Sequence, residues 1–224
     1  MNEHDKKVRD SFDKISKIPN KLWNHNNHYY KRALDLIARK NAAVLDIGCG
    51  DGDFLSLAKK RGHVCTGVDF SSGMIEEANK NAEAEGCTFI CGDIYEELPK
   101  FPGGGFDAAF SFAAMHHLDY EKLLLPLSRV MKKGGFFCVV DIRQSSAPLD
   151  YIYDGAAFLP NIIKKRIIRR GAWQTEESRR LWDEHGELDT YMKITEIKRV
   201  MDNMNYSYKL RRLLYFRYML VIYF

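Results

Sequence analysis

Long hydrophobic runs are missing from these 224 residues. No segment approaches the roughly 18 consecutive apolar residues of a membrane-spanning helix. The opening stretch MNEHDKKVRD is polar and holds no signal-peptide core. Prolines number six, and with scattered glycines they leave no low-complexity half; no fixed-period repeat is visible. Cysteine offers no disulfide framework either. The five residues Cys49, Cys65, Cys87, Cys91 and Cys138 are odd in number and sit mostly in apolar, strand-like contexts. Cys87 and Cys91 stand four apart with no second pair, which argues against a zinc site. A reducing cytoplasm fits this usage.

Charge of one sign is also scarce. The net charge is +4, with an isoelectric point near 8.7, whereas a dedicated nucleic-acid binder concentrates basic residues on one face. No nucleic-acid partner is therefore expected. The one concentration is Lys164, Lys165, Arg166, Arg169 and Arg170, interleaved with isoleucines. It reads as an amphipathic surface helix with a solvated charged face; contact with anionic lipid or an acidic substrate is the alternative.

What is present is an alternation. Residues 28–39 carry apolar positions at helical spacing (Tyr29, Ala33, Leu36, Ile37). Ala42–Ile47 is a short apolar run suited to a strand buried on both faces. Asp51–Lys60 reads as a helix stopped by Gly62. His63–Val68 is a second strand, followed by a helix capped at Ser71 or Ser72 and running to about Glu85. Cys87–Cys91 and Phe106–Phe112 are further strands, and Tyr120–Met131 is helical. The turn Gly134-Gly135 leads into a fifth strand, Phe136–Ile142. Thr195–Asn203 is a helix, and Tyr206–Leu214 with Phe216–Phe224 form an antiparallel pair at a sheet edge. The pattern predicts an α/β fold with a doubly wound, mostly parallel seven-stranded sheet and a terminal antiparallel hairpin. The segment between the fifth strand and that hairpin, 143–193, is expected to cover the carboxyl edge of the sheet, where such folds bind ligands.

The stretch VLDIGCGDGDF, Val44 to Phe54, carries the chemistry. Its glycines run G-x-G-x-G at Gly48, Gly50 and Gly52, not G-x-G-x-x-G. In a dinucleotide fold the following helix N-terminus takes a pyrophosphate. Here Asp51 and Asp53 flank that place and would repel phosphate. Asp46 adds acceptor capacity suited to an ammonium or to donors in the loop.

With these residues the sequence resembles the class I S-adenosylmethionine-dependent methyltransferases over about residues 28–142, within the small-molecule UbiE (type 11) group. The glycine loop, with Asp46, Gly48, Cys49, Gly50 and Gly52, is similar to their first motif, which passes the methionine part of the cofactor. GVDFSSGMIEEA (Gly67–Ala78) looks like the second motif, implying that Asp69 binds both ribose hydroxyls, with Phe70 and Met74 alongside. CGDIYEELP (Cys91–Pro99) looks like the third, implying that Asp93 accepts from the adenine amino group beside Ile94. FDAAFSFAAMHHL (Phe106–Leu118) resembles the strand and loop facing the sulfonium, which would put Ser111 and Phe112 near the transferred methyl. MKKGGFFCVVD (Met131–Asp141) and the terminal hairpin match the remaining family elements. The resemblance implies S-adenosylmethionine as cofactor and S-adenosylhomocysteine as product.

The acceptor is harder to read. The fourth strand lacks the Asn/Asp-Pro-Pro-aromatic tetrapeptide of amino-directed methyltransferases, so a small organic acceptor is expected. RNA or protein as acceptor, or a non-catalytic cofactor-binding module, are the alternatives. In-line displacement draws on positioning and desolvation; a base is needed only for an acceptor that loses a proton. His116 and His117 are the nearest candidates, His116 being the one assigned; plain packing of the paired histidines is the alternative. WNHNNHYY (Trp23–Tyr30) resembles a stretch in a bacterial subgroup that also ends with an RR-x-L-x-x-RY hairpin, here Arg211–Tyr218, and Tyr29 or Tyr30 is expected to border the cofactor pocket, Tyr30 being the one assigned. His25 and His28 could share a metal by spacing, but no acidic partner is near, so no metal ligand is assigned. Trp173, Trp182 and His185 are expected in the core of the late segment, with the lining of an acceptor pocket as the alternative. The expected organisation is an N-terminal helical cap (1–40), a cofactor-binding core (41–142), a helical insertion over the active site (143–193), and a last helix with the hairpin (194–224), the oligomeric state left open between monomer and dimer.

Overall fold

In the computed structural model, which describes residues 3–18, 27–156 and 175–224, seven strands form one sheet: β1 Ala43–Ile47, β2 Val64–Asp69, β3 Thr88–Cys91, β4 Phe106–Phe112, β5 Met131–Ile142, β6 Ser207–Arg212 and β7 Arg217–Tyr223. Their order is β3-β2-β1-β4-β5-β7-β6. The first five run parallel, and β7 is antiparallel to both β5 and β6. The strand order turns around β1, with β2 and β3 on one side and β4 and β5 on the other, which places a switch point at the carboxyl end of β1. The expected doubly wound sheet with a terminal hairpin is therefore the observed one.

Alternate residues build two cores. Leu45, Ala109, Phe137, Val139, Leu220 and Ile222 face one layer; Val44, Ala108, Phe110, Cys138, Val140 and Val221 face the other. That period of two, apolar on both faces, is what a sheet covered on both sides requires. Helices α3 (Asp53–Lys60) and α2 (Tyr30–Leu34) supply Phe54, Leu55, Ala58, Ala33 and Leu34 to the second layer. Helix α6 (Tyr120–Val130) supplies Leu123, Leu124 and Leu127 to the first, as does α9 (Ile194–Asn203) with Ile197 and Met201. The remaining helices are α1 (Glu3–Ile15), α4 (Ser72–Lys80), α5 (Ile94–Glu97), α7 over residues 148–156, and α8 (Glu176–Gly186). None of the described helices is long and apolar enough to cross a membrane.

Several expectations are corrected. Helix α1 was not visible in a region without clean periodicity; its mean character is polar, with only Val8 and Ile15 buried. The helix expected from 28 to 39 is a single 3-10 turn, Asn27–Tyr29, plus α2. Helix α4 stops at Lys80, because the Asn81 side chain accepts from Glu83 N–H and donates to the Asp51 carbonyl at 3.3 Å, a local alternative to the helical ladder. Helix α3 begins at Asp53, after Gly52, which holds φ +78° as its N-cap. Gly134-Gly135 does not separate β5 from α6. The strand starts at Met131, and a register irregularity opposite Phe106–Ala108 absorbs the extra residues, with Gly134 at φ +79° as in a bulge. The hairpin strands are shorter than expected, because Tyr215 and Phe216 form its turn at φ +59° and +58°.

Beyond β5 the chain is anchored by a buried ionic cluster. Arg143, 2 % exposed, donates to Asp154 Oδ1 at 2.7 Å and to Ser145 Oγ at 2.9 Å. Asp150 receives Arg212 Nε at 2.7 Å and the Ser146 and Ala147 N–H groups. This pairing ties α7 to β6, and it keeps each buried charge within reach of an opposite one.

Candidate functional site

All the strand carboxyl ends from β3 to β5 open into one cavity of about 1190 Å³. Its floor is the loop after β1. There Gly48 and Cys49 donate to the Val68 carbonyl at 2.8 and 3.2 Å, and Gly50 N–H donates to Asp69 Oδ2 at 2.9 Å. Gly48 sits at φ +72°, where a Cβ would lie 2.4 Å from the Ala114 Cβ. The loop can therefore approach the β4 loop only as glycine. A Cβ on Gly50 would meet nothing within 4 Å, so bare backbone faces the cavity there.

Carboxylates dominate this floor. Asp46 is 2 % exposed, lines the cavity, and its Oδ1 has no hydrogen-bond partner. Burial, and then the charge of Asp69, push its carboxyl well above the usual range. Asp69 closes β2 and accepts Gly50 N–H and Ser71 N–H, each at 2.9 Å. Burial still raises it to about 6, against those hydrogen bonds. Asp93 caps α5 through Tyr95 N–H at 2.9 Å. Asp51 and Asp53 complete an acidic wall. A buried acceptor without a donor costs free energy, so this surface suits a cationic ligand rich in hydrogen-bond donors, and it disfavours phosphate.

Of the sequence-derived residues, Tyr30, Asp46, Gly48, Cys49, Gly50, Asp69, Phe70, Met74, Asp93, Ile94, Phe112 and His116 line the cavity. Two do not. Ser111 is wholly buried in β4, its Oγ without a partner, because the strand's alternation turns Phe112 and not Ser111 toward the opening. Gly52 sits behind the loop, where a Cβ would strike the Phe89 ring at 2.7 Å. Trp182 and His185 border the cavity, the alternative to a purely core role, with His185 buried there as well, since α8 lies across its mouth. Trp173, Trp23, His25 and the basic segment from Lys164 to Arg170 lie outside the described residues.

Helix α1 supplies the opposite wall with Val8, Arg9, Phe12 and Ile15. It is fastened by Asp13, whose Oδ1 accepts Ser71 Oγ at 2.6 Å and Gly73 N–H at 3.0 Å. Phe12 packs on the His185 ring at 4.3 Å between centroids, so α1 and α8 meet over the cavity.

Under that meeting point lies a cluster. His116 Nδ1 pairs with Asp141 Oδ1 at 2.8 Å, and His116 N–H donates to Asp141 Oδ2 at 2.8 Å. Asp189 Oδ1 stands 3.5 Å from His116 Nε2, 3.4 Å from His117 Nε2 and 3.5 Å from His185 Nε2. Burial opposes a charge on His116, but Asp141 and Asp189 outweigh it and lift the ring to about 9. Burial and the neighbouring His116 push His117 down to about 3. The acids around His116 thus favour its protonated ring, whereas burial favours the neutral ring of His117. Asp141, Asp189, Tyr191 and Phe12 escaped sequence reading. The one available signal was His185 and Asp189 four residues apart.

Comparison with known proteins places this geometry. Residues 45–139 match the family model described as "Methyltransferase domain". A demethylmenaquinone methyltransferase of Staphylococcus aureus (strain JH9) is 32% identical over 152 residues, covering 63% of this chain and 60% of that protein. The chain thus spans about 60% of the length of the curated relatives it matches. Among solved structures, geranyl diphosphate C-methyltransferase from Streptomyces coelicolor A3(2) aligns with a TM-score of 0.68 at 11% identity, covering 99% of this chain and 98% of that one. A SAM-dependent methyltransferase from Aquifex aeolicus aligns at 0.62 and 14%, covering 95% and 97%. These two likenesses are of fold.

Proposed function

We propose, from the match of residues 45–139 to the family model described as "Methyltransferase domain", that the chain is a methyltransferase that binds S-adenosylmethionine and transfers its methyl group to a small organic acceptor, leaving S-adenosylhomocysteine. The observation that carries this is Asp46, a buried carboxylate with an unpartnered oxygen at the cavity floor. It is the complement of an ammonium, and it sits beside a glycine loop that disfavours phosphate. The acidic wall is likewise matched to a ligand with a cationic sulfonium.

When bound, the cofactor supplies an electrophilic methyl group on that sulfonium. Asp69 would hold the ribose hydroxyls, since a carboxylate can accept more bonds than the two backbone N–H groups it now receives. Asp93 and Ile94 would hold the adenine. Asp46 and the Gly48–Gly50 backbone would hold the methionine end. Phe112 and Tyr30, 4.7 Å apart between ring centroids, border the methyl and exclude water, which favours displacement by a positioned acceptor.

The acceptor side is bounded by α1 and α8, a partly closed space suited to a small molecule and not to a polymer. Its Phe12, Trp182 and Tyr191 side chains suit a planar ring, in keeping with the quinone named in the S. aureus relatives. Five cysteines without disulfides accord with a reducing compartment. Titration calorimetry with S-adenosylmethionine and S-adenosylhomocysteine tests the core of the reading: one site per chain is expected, and no binding of either would overturn it.

A further inference from the structure

We propose that His116, His117 and Asp189 form a site for one divalent transition-metal ion, of the Zn²⁺ type, at the acceptor end of the cavity. Their donor atoms, one from each residue, lie within 4.8 Å of one another. The site itself stands on these residues alone; only its position beside the acceptor rests on the methyl-transfer reading.

The spacing is wrong for hydrogen bonds and right for ligands. Asp189 Oδ1 is 3.5 Å from His116 Nε2 and 3.4 Å from His117 Nε2. Both Asp189 Oδ1 and His117 Nε2 are buried with no hydrogen-bond partner, and the Asp189 side chain is only 7 % exposed. Zinc binds imidazole nitrogen and carboxylate oxygen at about 2.0–2.1 Å in tetrahedral sites, which sets neighbouring donors about 3.3–3.4 Å apart. An octahedral ion at the same bond length would need about 2.9 Å. The two separations from Asp189 Oδ1 follow the tetrahedral edge, and all three donor atoms lie within 4.8 Å of one another.

The surroundings fit the same reading. His116 gives Nδ1 to Asp141 Oδ1 at 2.8 Å, which turns Nε2 toward the site. Asp189 accepts the Tyr191 hydroxyl at Oδ2, which leaves Oδ1 for the ion. Metal-binding histidines and carboxylates are held by such outer partners. Two imidazoles and a carboxylate form a three-ligand donor set of the kind that keeps a further position for water or substrate. All three ligands line the cavity, where an acceptor oxygen could be polarised. His117 belongs to the Met115–His117 turn after β4, and Asp189 follows α8, so the ion would also join those two segments.

The full chain, freed of metal by chelator and dialysis, is titrated with Zn²⁺ by calorimetry and with Co²⁺ in the visible spectrum. One equivalent should bind, Co²⁺ should give the intense bands of a four- or five-coordinate ion, and Zn²⁺ should raise the melting temperature. His117→Ala and Asp189→Asn should each weaken Zn²⁺ at least tenfold while keeping the far-UV spectrum and cooperative melting of the parent. Cys91→Ser, an exposed thiol outside the cluster, should bind as the parent does. Absence of a saturable Co²⁺ spectrum, or equal affinity in the parent and the His117 and Asp189 variants, would overturn the site. Parallel titration with S-adenosylhomocysteine separates the two readings: cofactor binding without metal overturns this inference alone, and metal binding without cofactor overturns the proposed function alone.

Discussion

Replacing Asp46 by asparagine should make the ligand-free protein more stable and the cofactor weaker. Asp46 is 2 % exposed and its Oδ1 is unsatisfied; such a buried group costs about 1–3 kcal/mol, more when charged. Asparagine keeps the shape and removes the charge that faces Asp69. For a chain of this size about 1 kcal/mol moves the melting temperature by roughly 2–4 °C, so a rise of about 2–12 °C is expected. The pH dependence gives a second readout. Burial raises the folded carboxyl well above its ordinary value of 3.8, so the stability it contributes is full below 3.8 and is lost as pH rises through the folded value. The variant should lack that part of the decline. On the ligand side, losing a charge-assisted bond to an ammonium costs about 1.5–3 kcal/mol, a roughly 10–100-fold weaker S-adenosylhomocysteine. Thermal melts with and without ligand across pH, with calorimetry, read all three. A variant that is no more stable when ligand-free, yet binds S-adenosylhomocysteine as the parent does, would refute the assignment of Asp46 to the ammonium.

Asp69→Ala should weaken S-adenosylhomocysteine by about 1–3 kcal/mol, measured by calorimetry; unchanged affinity would remove Asp69 from the ribose site. Gly48→Ala must place a Cβ 2.4 Å from the Ala114 Cβ at φ +72°, so denaturant unfolding should show a loss of about 1–3 kcal/mol together with weaker cofactor binding. Asp150 behaves in the opposite sense to Asp46. Burial raises it, but the Ser146 N–H, Arg212, the Ala147 N–H and Arg143 outweigh that and hold it at about 2. Its contribution, roughly 2 kcal/mol, is present above 3.8 and is lost as pH falls toward 2. Asp150→Asn should therefore flatten the acid limb of the stability profile while lowering stability at neutral pH.

How far the sequence reveals this molecule depends on the range of the forces involved. Strands β1, β2, β4 and β7 announce themselves, because burial on both faces leaves near-continuous apolar runs. The sites Asp69 and Asp93 are visible for a related reason: each lies where such a run stops, and a doubly wound sheet gathers those ends at one edge. Helix α1 is different. Only Val8 and Ile15 are buried along its length, and its place is fixed by Asp13 on α4 and Phe12 on His185, contacts with residues far along the chain. Ser111 fails for a strand reason. A motif marks the end of β4, but the period of two decides which neighbour faces the ligand, and there it is Phe112.

The histidine cluster shows where local reading ends. His116 and His117 are adjacent, yet their chemistry is set by Asp141 at the end of β5 and by Asp189 after α8. Neither acid stands near them in sequence, so a pair that looks like packing becomes a pair of unlike groups, one ring lifted to about 9 and its neighbour lowered to about 3. That divergence, with buried donor atoms lacking partners, is a poor way to stabilise a fold. The glycine loop has the same character: Asp46 is buried at a cost and without a partner in the protein. Two groups of unsatisfied polar atoms line one cavity, the Asp46 carboxylate and the His117–Asp189 pair, and they are better understood as demands for two ligands than as defects of packing. The Asp46 carboxylate calls for a cation carrying hydrogen-bond donors. The His117–Asp189 pair calls for an electron-pair acceptor, which is why the methyl donor and the metal are assigned to different groups in the cavity.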